Sequence, residues 1–221
     1  MIELRQVWKR YSGHHSRNWV LRDINLCIRQ GDRVGLIGRN GAGKSTLLNL
    51  IGGMDHPSRG KIRRDGKLSW TLGLSGGFQG ALSGEQNARF VFRIHGVPDQ
   101  EIAERTNFVH VFSELGDYFF APMKTYSSGM RSRLAFALSL AFRFDTYLVD
   151  ELIAVGDEKF KKKSKKAFED LIASAGLIMV SHDEGTLKNF CEKGILMSNG
   201  AAYWFDDIAD ALSEYKKSIN A

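Results

Sequence analysis

The sequence predicts an α/β protein with a parallel core sheet, strands at its N-terminus and a helical insertion. Three observations predict it. The apolar run "RVGLIG" (33–38) leads through a glycine-rich loop into the helical pattern "KSTLLNLIGG". Two further apolar runs, in "DTYLVDE" (145–151) and "GLIMVSH" (176–182), are each followed by a helical pattern. Between the first of these units and the other two, residues 83–143 read as mostly helical.

Each element has a local reason. Residues 1–30 read as strands, with Ile24, Leu26 and Ile28 alternating with polar neighbours. Residues 58–74 read as short strands and turns. Ser83 followed by Gln86 forms a capping-box pattern at a helix start. Pro98 sits at the start of the next helix, where its missing N–H costs nothing. Ile102, Arg105, Phe108, Val109, Phe112 and Leu115 recur at helical spacing and predict that helix's mostly apolar face. In "YSSGMRSRLAFALSLAF" (126–142), Leu134–Phe142 reads as helix core. The helical insertion is placed at about 80–143, within one domain of residues 1–221 whose core and β region take about 1–79 and 144–221.

Composition bounds the function. The chain has 221 residues, 43% apolar and 25% charged, with a net charge of +6. That balance suits a polyanionic ligand, nucleic acid or an anionic membrane surface without choosing among them. Cys27 and Cys191 form no CxxC pair, which argues for a reducing compartment and against a disulfide framework or zinc site. No signal-peptide pattern opens the chain. The best apolar run, Leu134–Phe142, has nine residues, against the roughly 20 that a spanning helix needs.

"GRNGAGKST" (38–46) matches G-x-x-x-x-G-K-[ST] between a strand and a helix, the context that motif requires. Gly38, Arg39, Asn40, Gly41, Ala42 and Gly43 form a loop whose N–H groups can point at phosphate oxygens. The following helix start, with Thr46, adds partial positive charge. Lys44 can reach the β- and γ-phosphates, and the Ser45 hydroxyl can bind Mg²⁺. Asp150 ends a buried strand and can hold Mg²⁺ directly or through water. Glu151 follows it and can orient or deprotonate an attacking water. His182 ends a second strand at the same sheet edge, where its imidazole can hydrogen-bond a γ-phosphate. Acidic strand ends are also common simply because they meet solvent.

Together these motifs resemble the nucleotide-binding subunit of an ABC transporter over essentially the whole chain. The implied fold is a P-loop NTPase, ABC-type nucleotide-binding domain: a mainly parallel core sheet with an N-terminal antiparallel β-subdomain and a helical subdomain. "YSSGM" (126–130) stands where the family has its LSGGQ signature, "GGFQ" (76–79) supplies the Gln loop at Gln79, and "AVGD" (154–157) stands at the D-loop, ending in Asp157. Tyr11 falls where the family places an aromatic that stacks on adenine. Tyr126, Ser128 and Met130 depart from the usual Leu, Gly and Gln, and the D-loop lacks Ser-Ala-Leu. Those variants, with "LGLSGGFQGALSGEQNARF" and "YSSGMRSRLAFALSLAFRFDTYLVDE", look like the capsular-polysaccharide exporters of Gram-negative bacteria. O-antigen and teichoic-acid exporters share the YSSGM variant. Many O-antigen ATPases add a C-terminal carbohydrate-binding domain, and a chain ending at Ala221 favours the capsular branch.

The resemblance implies ATP and Mg²⁺ as cofactors, with Ser45, Gln79 and Asp150 about the metal and Lys44, Glu151 and His182 as the catalytic groups. It implies a head-to-tail homodimer in which Ser127, Ser128 and Gly129 of one copy meet the ATP of the other. It also implies polytopic permease subunits, two of each chain, and a peripheral place on the cytoplasmic face of the bacterial inner membrane. Periplasm-spanning and outer-membrane export partners are compatible with this reading, and no nucleic acid partner is expected. The permease-docking surface is placed at about 74–92, where Phe78, Leu82, Phe90, Val91 and Phe92 exceed what one buried face needs. "EKFKKKSKKAFEDL" (158–171) carries six lysines between 159 and 166, which suits contact with an anionic lipid or polysaccharide. The plainer reading is a solvated helix face. A soluble ABC-type ATPase acting on nucleic acid or ribosomes is the competing class, but such chains usually hold two cassettes or a long coiled-coil insert. A nucleotide-binding regulator without turnover is disfavoured by Glu151 and His182.

Overall fold

The structure is a computed structural model that describes residues 1–11, 18–72, 77–150 and 157–220. It divides into two compact units: Met1–Thr71 with Phe144–Leu152 and Ser174–Ala221, and Leu72–Arg143 with Ile153–Ala173.

The first unit holds both sheets. β1 (Ile2–Lys9), β2 (Leu21–Ile28) and β4 (Arg59–Arg64) form an antiparallel sheet in the order β2-β1-β4. β3 (Arg33–Gly38), β5 (Leu68–Thr71), β6 (Thr146–Asp150), β7 (Gly176–Val180), β8 (Lys193–Ser198) and β9 (Ala201–Phe205) form the second, ordered β5-β6-β7-β3-β8-β9. All of its pairings are parallel except β8 with β9. Its central strands read as continuous apolar runs because both faces are covered: β7 is buried at every position and β3 at all but its first. α1 (Lys44–Gly52) packs Leu47, Leu48, Leu50 and Ile51 into this core beside Leu36, Leu148, Ile178 and Val180. α6 (Glu184–Phe190) and α7 (Ile208–Asn220) complete the unit. Cys191 is buried, and burial pushes its thiol up to about 12, whereas Cys27 on β2 is exposed.

The second unit is helical: α2 (Gly84–Ile94), α3 (Asp99–Ser113), α4 (Ser128–Leu140) and α5 (Glu158–Ile172), with 3₁₀ turns at Gly116–Phe120 and Met123–Thr125. The capping box at α2 forms: the Ser83 hydroxyl accepts from the Gln86 N–H at 3.1 Å, and the Gln86 side chain accepts from the Ser83 N–H at 2.9 Å. α5 belongs to this unit although it follows the insertion drawn at 80–143.

The face of α3 differs from its expected one. The buried stripe is Ile102, Thr106, Val109 and Ser113, while Phe108 is 41% exposed and Arg105 and Phe112 are half-buried. The reason is local. The Thr106 hydroxyl donates to the Ile102 carbonyl at 2.6 Å and the Ser113 hydroxyl to the His110 carbonyl at 3.1 Å. Hydroxyls satisfied by their own helix can be buried at little cost. In α5, Phe160, Phe168, Leu171 and Ile172 are buried. Its lysines are largely neutralised or solvated: Lys161 pairs with Glu158, Lys163 with Glu114 at 2.7 Å, and Lys159, Lys162 and Lys166 are exposed or half-exposed.

Candidate nucleotide site

The first unit's cleft is built by sheet register. Leu36 of β3 and Asp150 of β6 both stand level with Val180 of β7, so β6 and β7 end together and β3 runs two residues further, to Gly38. Their carboxyl ends open a cleft of about 390 Å³ lined by Tyr11, Val20, Asn40, Gly41, Gly43, Lys44, Ser45, Thr46, Asp150, Val180 and His182. This is the crevice where open parallel sheets bind ligands.

Glycine shapes the loop. Gly43, the N-cap of α1, has φ +101°, and a Cβ there would stand 2.8 Å from a Leu21 methyl and 3.2 Å from the Val20 carbonyl oxygen. A Cβ on Gly38 would stand 2.5 Å from the Met197 carbonyl oxygen. The loop therefore lies against its neighbours as only glycine allows. Lys44 is 8% exposed, and its ammonium donates to the Gly38 carbonyl at 2.7 Å and the Arg39 carbonyl at 3.1 Å. The first-turn N–H groups of α1 have no partner within the helix and lie at the positive end of its dipole. Among the described residues, Asp150 is the cleft's carboxylate and His182 its imidazole, both at strand ends. The chemistry available is phosphate binding by backbone N–H groups and one ammonium, next to a hydroxyl and a carboxylate that suit a hard cation.

The sequence-predicted residues divide four ways. Tyr11, Asn40, Gly41, Gly43, Lys44, Ser45, Thr46, Asp150 and His182 come together in the cleft. Gly38 and Ala42 support it from within the loop, and Arg39 lines an adjoining concavity together with Arg22 and Tyr215. Glu151, Gly76 and 154–156 of the D-loop, and Leu74 at the head of the docking stretch, lie outside the described residues.

The remaining predicted residues belong to the helical unit. Gln79 is held through its backbone by Asn87, a fully buried side chain of α2: Asn87 Oδ1 accepts from the Gln79 N–H at 2.8 Å and Asn87 Nδ2 donates to its carbonyl at 3.1 Å. Ser127 is the N-cap of α4, its hydroxyl accepting from the Met130 N–H at 3.2 Å, with Ser128 and Gly129 in the first turn. Tyr126 is buried; desolvation raises its phenol, which donates to the Tyr118 carbonyl at 2.6 Å. Asp157 caps α5, accepting from the Phe160 N–H at 2.9 Å, and bonds Arg133 of α4 at 2.9 Å. The Phe160 N–H first, and the Arg133 guanidinium after it, hold the Asp157 carboxyl below the usual carboxylate range. Of the docking stretch, Phe92 is buried, Phe78, Leu82 and Val91 are half-buried, and Phe90 is 46% exposed.

Asn87, Lys9 and Asp55 carry weight that the sequence alone does not announce. Lys9 and Asp55 form an ion pair at 2.6 Å, and Asp55 accepts from the Tyr11 hydroxyl at 3.1 Å. Their one sequence signal is a lysine two residues before the aromatic.

This unit is a P-loop nucleotide-binding fold. The ABC transporter family profile matches residues 21–154. The polysialic acid transport ATP-binding protein KpsT of Escherichia coli is 48% identical over 99% of this chain and 100% of its own length. The capsule polysaccharide export ATP-binding protein CtrD of Neisseria meningitidis is 44% identical over 99% of this chain and 100% of its own. A solved dimeric ATP-binding cassette in a post-hydrolysis state, bound to ADP and Pi, superposes with a TM-score of 0.77 at 23% identity, covering 94% of this chain and 99% of that one. The chain belongs to the ABC transporter family, standing within it beside the ATP-binding proteins of capsule export. Among its described residues, no helix is long and apolar enough to cross a membrane.

Proposed function

We propose that this chain hydrolyses ATP to drive export of a capsular polysaccharide through a separate membrane-spanning permease. One observation carries the ATPase reading: Lys44 with Ser45, Asp150 and His182, from three separate stretches of the sequence, line one cleft where parallel strands end. The export reading is supported by the whole-length similarity to proteins named for polysialic acid transport and capsule polysaccharide export.

In this reading the N–H groups of 38–46 and the Lys44 ammonium hold the phosphates, and Tyr11 stacks on the base. Ser45 and Asp150, which line the same cleft, fit Mg²⁺, with Gln79 as the further donor. When bound, that ion offsets negative charge on the phosphate oxygens. Glu151 takes a proton from a water that attacks the γ-phosphorus, the bond to the β–γ bridging oxygen breaks, and ADP and phosphate leave. His182 donates to a γ-phosphate oxygen. In a homodimer, the Ser127 hydroxyl and the N–H groups of Ser128 and Gly129 meet the ATP held by the other copy, and Asp157 closes the D-loop. The Ser127 hydroxyl suits this because it accepts from Met130 and keeps its own proton to donate. The permease docks at Gln79, Phe78, Leu82 and Phe90, holding the chain on the cytoplasmic face of the inner membrane.

Glu151→Gln tests the reaction. ATP binding stays within a few-fold, hydrolysis falls at least about 100-fold, and an ATP-dependent dimer accumulates on size exclusion. Turnover at the parental rate would remove Glu151 from the mechanism.

A further inference from the structure

We propose that Lys9 and Asp55 form a clamp that fixes the Tyr11 ring as a platform for the nucleotide base. The proposal rests on the nucleotide reading of the cleft and assigns it two positioning residues. Lys9 ends β1 and is 8% exposed, a burial that a lysine tolerates only when paired. Its ammonium donates to Asp55 Oδ1 at 2.6 Å and to the His56 carbonyl at 2.8 Å. Asp55 Oδ1 also accepts from the His56 N–H at 2.6 Å, which anchors the carboxylate to its own backbone turn. The other oxygen, Oδ2, accepts from the Tyr11 hydroxyl at 3.1 Å. The same Lys9 ammonium lies 4.8 Å from the centroid of the Tyr11 ring. One ion pair therefore holds both the tip and one face of this ring.

Tyr11 is 46% exposed and lines the cleft, whereas Lys9 and Asp55 are not among the cleft's lining residues. A tyrosine this open would lose side-chain freedom on stacking, and an ordered partner removes that cost before the ligand arrives. With Lys9 against one face, a base can stack only on the other. The ligand chemistry this selects is a nucleotide with a planar base, as distinct from a bare triphosphate. The Lys9 hydrogen bond holds the clamp's carboxylate, Asp55, below the ordinary carboxylate range.

Calorimetric titration of the full chain with ATP and with tripolyphosphate, both with Mg²⁺, tests the clamp. In Asp55→Ala the dissociation constant for ATP rises about fivefold to tenfold, while that for tripolyphosphate does not change. KM for ATP rises in step while kcat moves much less. Asp55→Asn, which keeps an acceptor for the tyrosine hydroxyl but loses the charge facing Lys9, falls between parent and Asp55→Ala. In a Tyr11→Ala background, Asp55→Ala adds nothing further. The clamp is overturned if Asp55→Ala binds ATP as the parent does. It is also overturned if ATP and tripolyphosphate weaken equally, or if Asp55→Ala weakens ATP binding further once Tyr11 is gone. If the parent chain binds no ATP, the nucleotide reading itself falls, a result that no variant can imitate.

Discussion

In the sheet unit, α1 begins at Gly43 with no side-chain cap; in the helical unit, α4 begins at Ser127, whose hydroxyl supplies one. The first has no side-chain bond at its start and gets its shape from a buried surround, with Leu47, Leu48, Leu50 and Ile51 beneath it. The second keeps its start through a side-chain bond, and an ion pair ties the helix to its neighbour through Arg133 and Asp157. In the proposed function, one anion site is made by backbone geometry over a core, the other by polar side chains at a surface. The two should respond differently to mutation, salt and acid.

Packing dominates the helical unit. Phe160 is fully buried, ringed by Phe112 at 5.9 Å and the Arg133 guanidinium at 4.6 Å. Phe160→Ala should cost about 3–5 kcal/mol of stability in a denaturant titration, so the helical unit fails by packing first. Next comes Lys44→Ala, which should cut ATP hydrolysis about 100- to 1,000-fold, with unfolding near that of the parent. That outcome would locate its weight in phosphate contact. Arg133→Met sharpens the contrast at the small end. Its loss in melting temperature should be far below that of Phe160→Ala and should vanish near 1 M salt, where screening acts within about 3 Å. Acid tests the same pair. Because the folded-state Asp157 is held below its unfolded value, the stability it adds is fully present above about pH 4 and is lost as pH falls through the lowered value. The exchange protection factor of the Phe160 amide, the capped N–H, should fall first below that pH.

Much of the cleft was legible because its signals are local. A strand, a glycine loop and a lysine are contiguous at 33–46, and Asp150 and His182 each close an apolar run. That their strand ends share one sheet edge followed from the α/β pattern, whereas the order β5-β6-β7-β3-β8-β9 did not. Less legible were features made by contact. Tyr11 and Asp55 are 44 residues apart, and nothing in either neighbourhood announces their bond. Asn87 reads as a polar helix residue, yet it is fully buried and holds the backbone at Gln79, Leu82 and Ser83. On α3 an aromatic was expected inside, but Thr106 and Ser113 hide their hydroxyls in the helix and take its place, leaving Phe108 outside. Period alone cannot separate these faces when small hydroxyls compete with large rings.

The two cysteines give the chain a built-in reporter position. Cys191 is buried and scarcely ionises, while Cys27 stands exposed on β2. Since the thiolate is the species that reacts, a maleimide dye at neutral pH should attach at Cys27 alone. The wild-type protein can thus carry one fluorophore on its antiparallel sheet without engineering. In an assembly of two copies, that places a matched donor and acceptor pair for following association in real time.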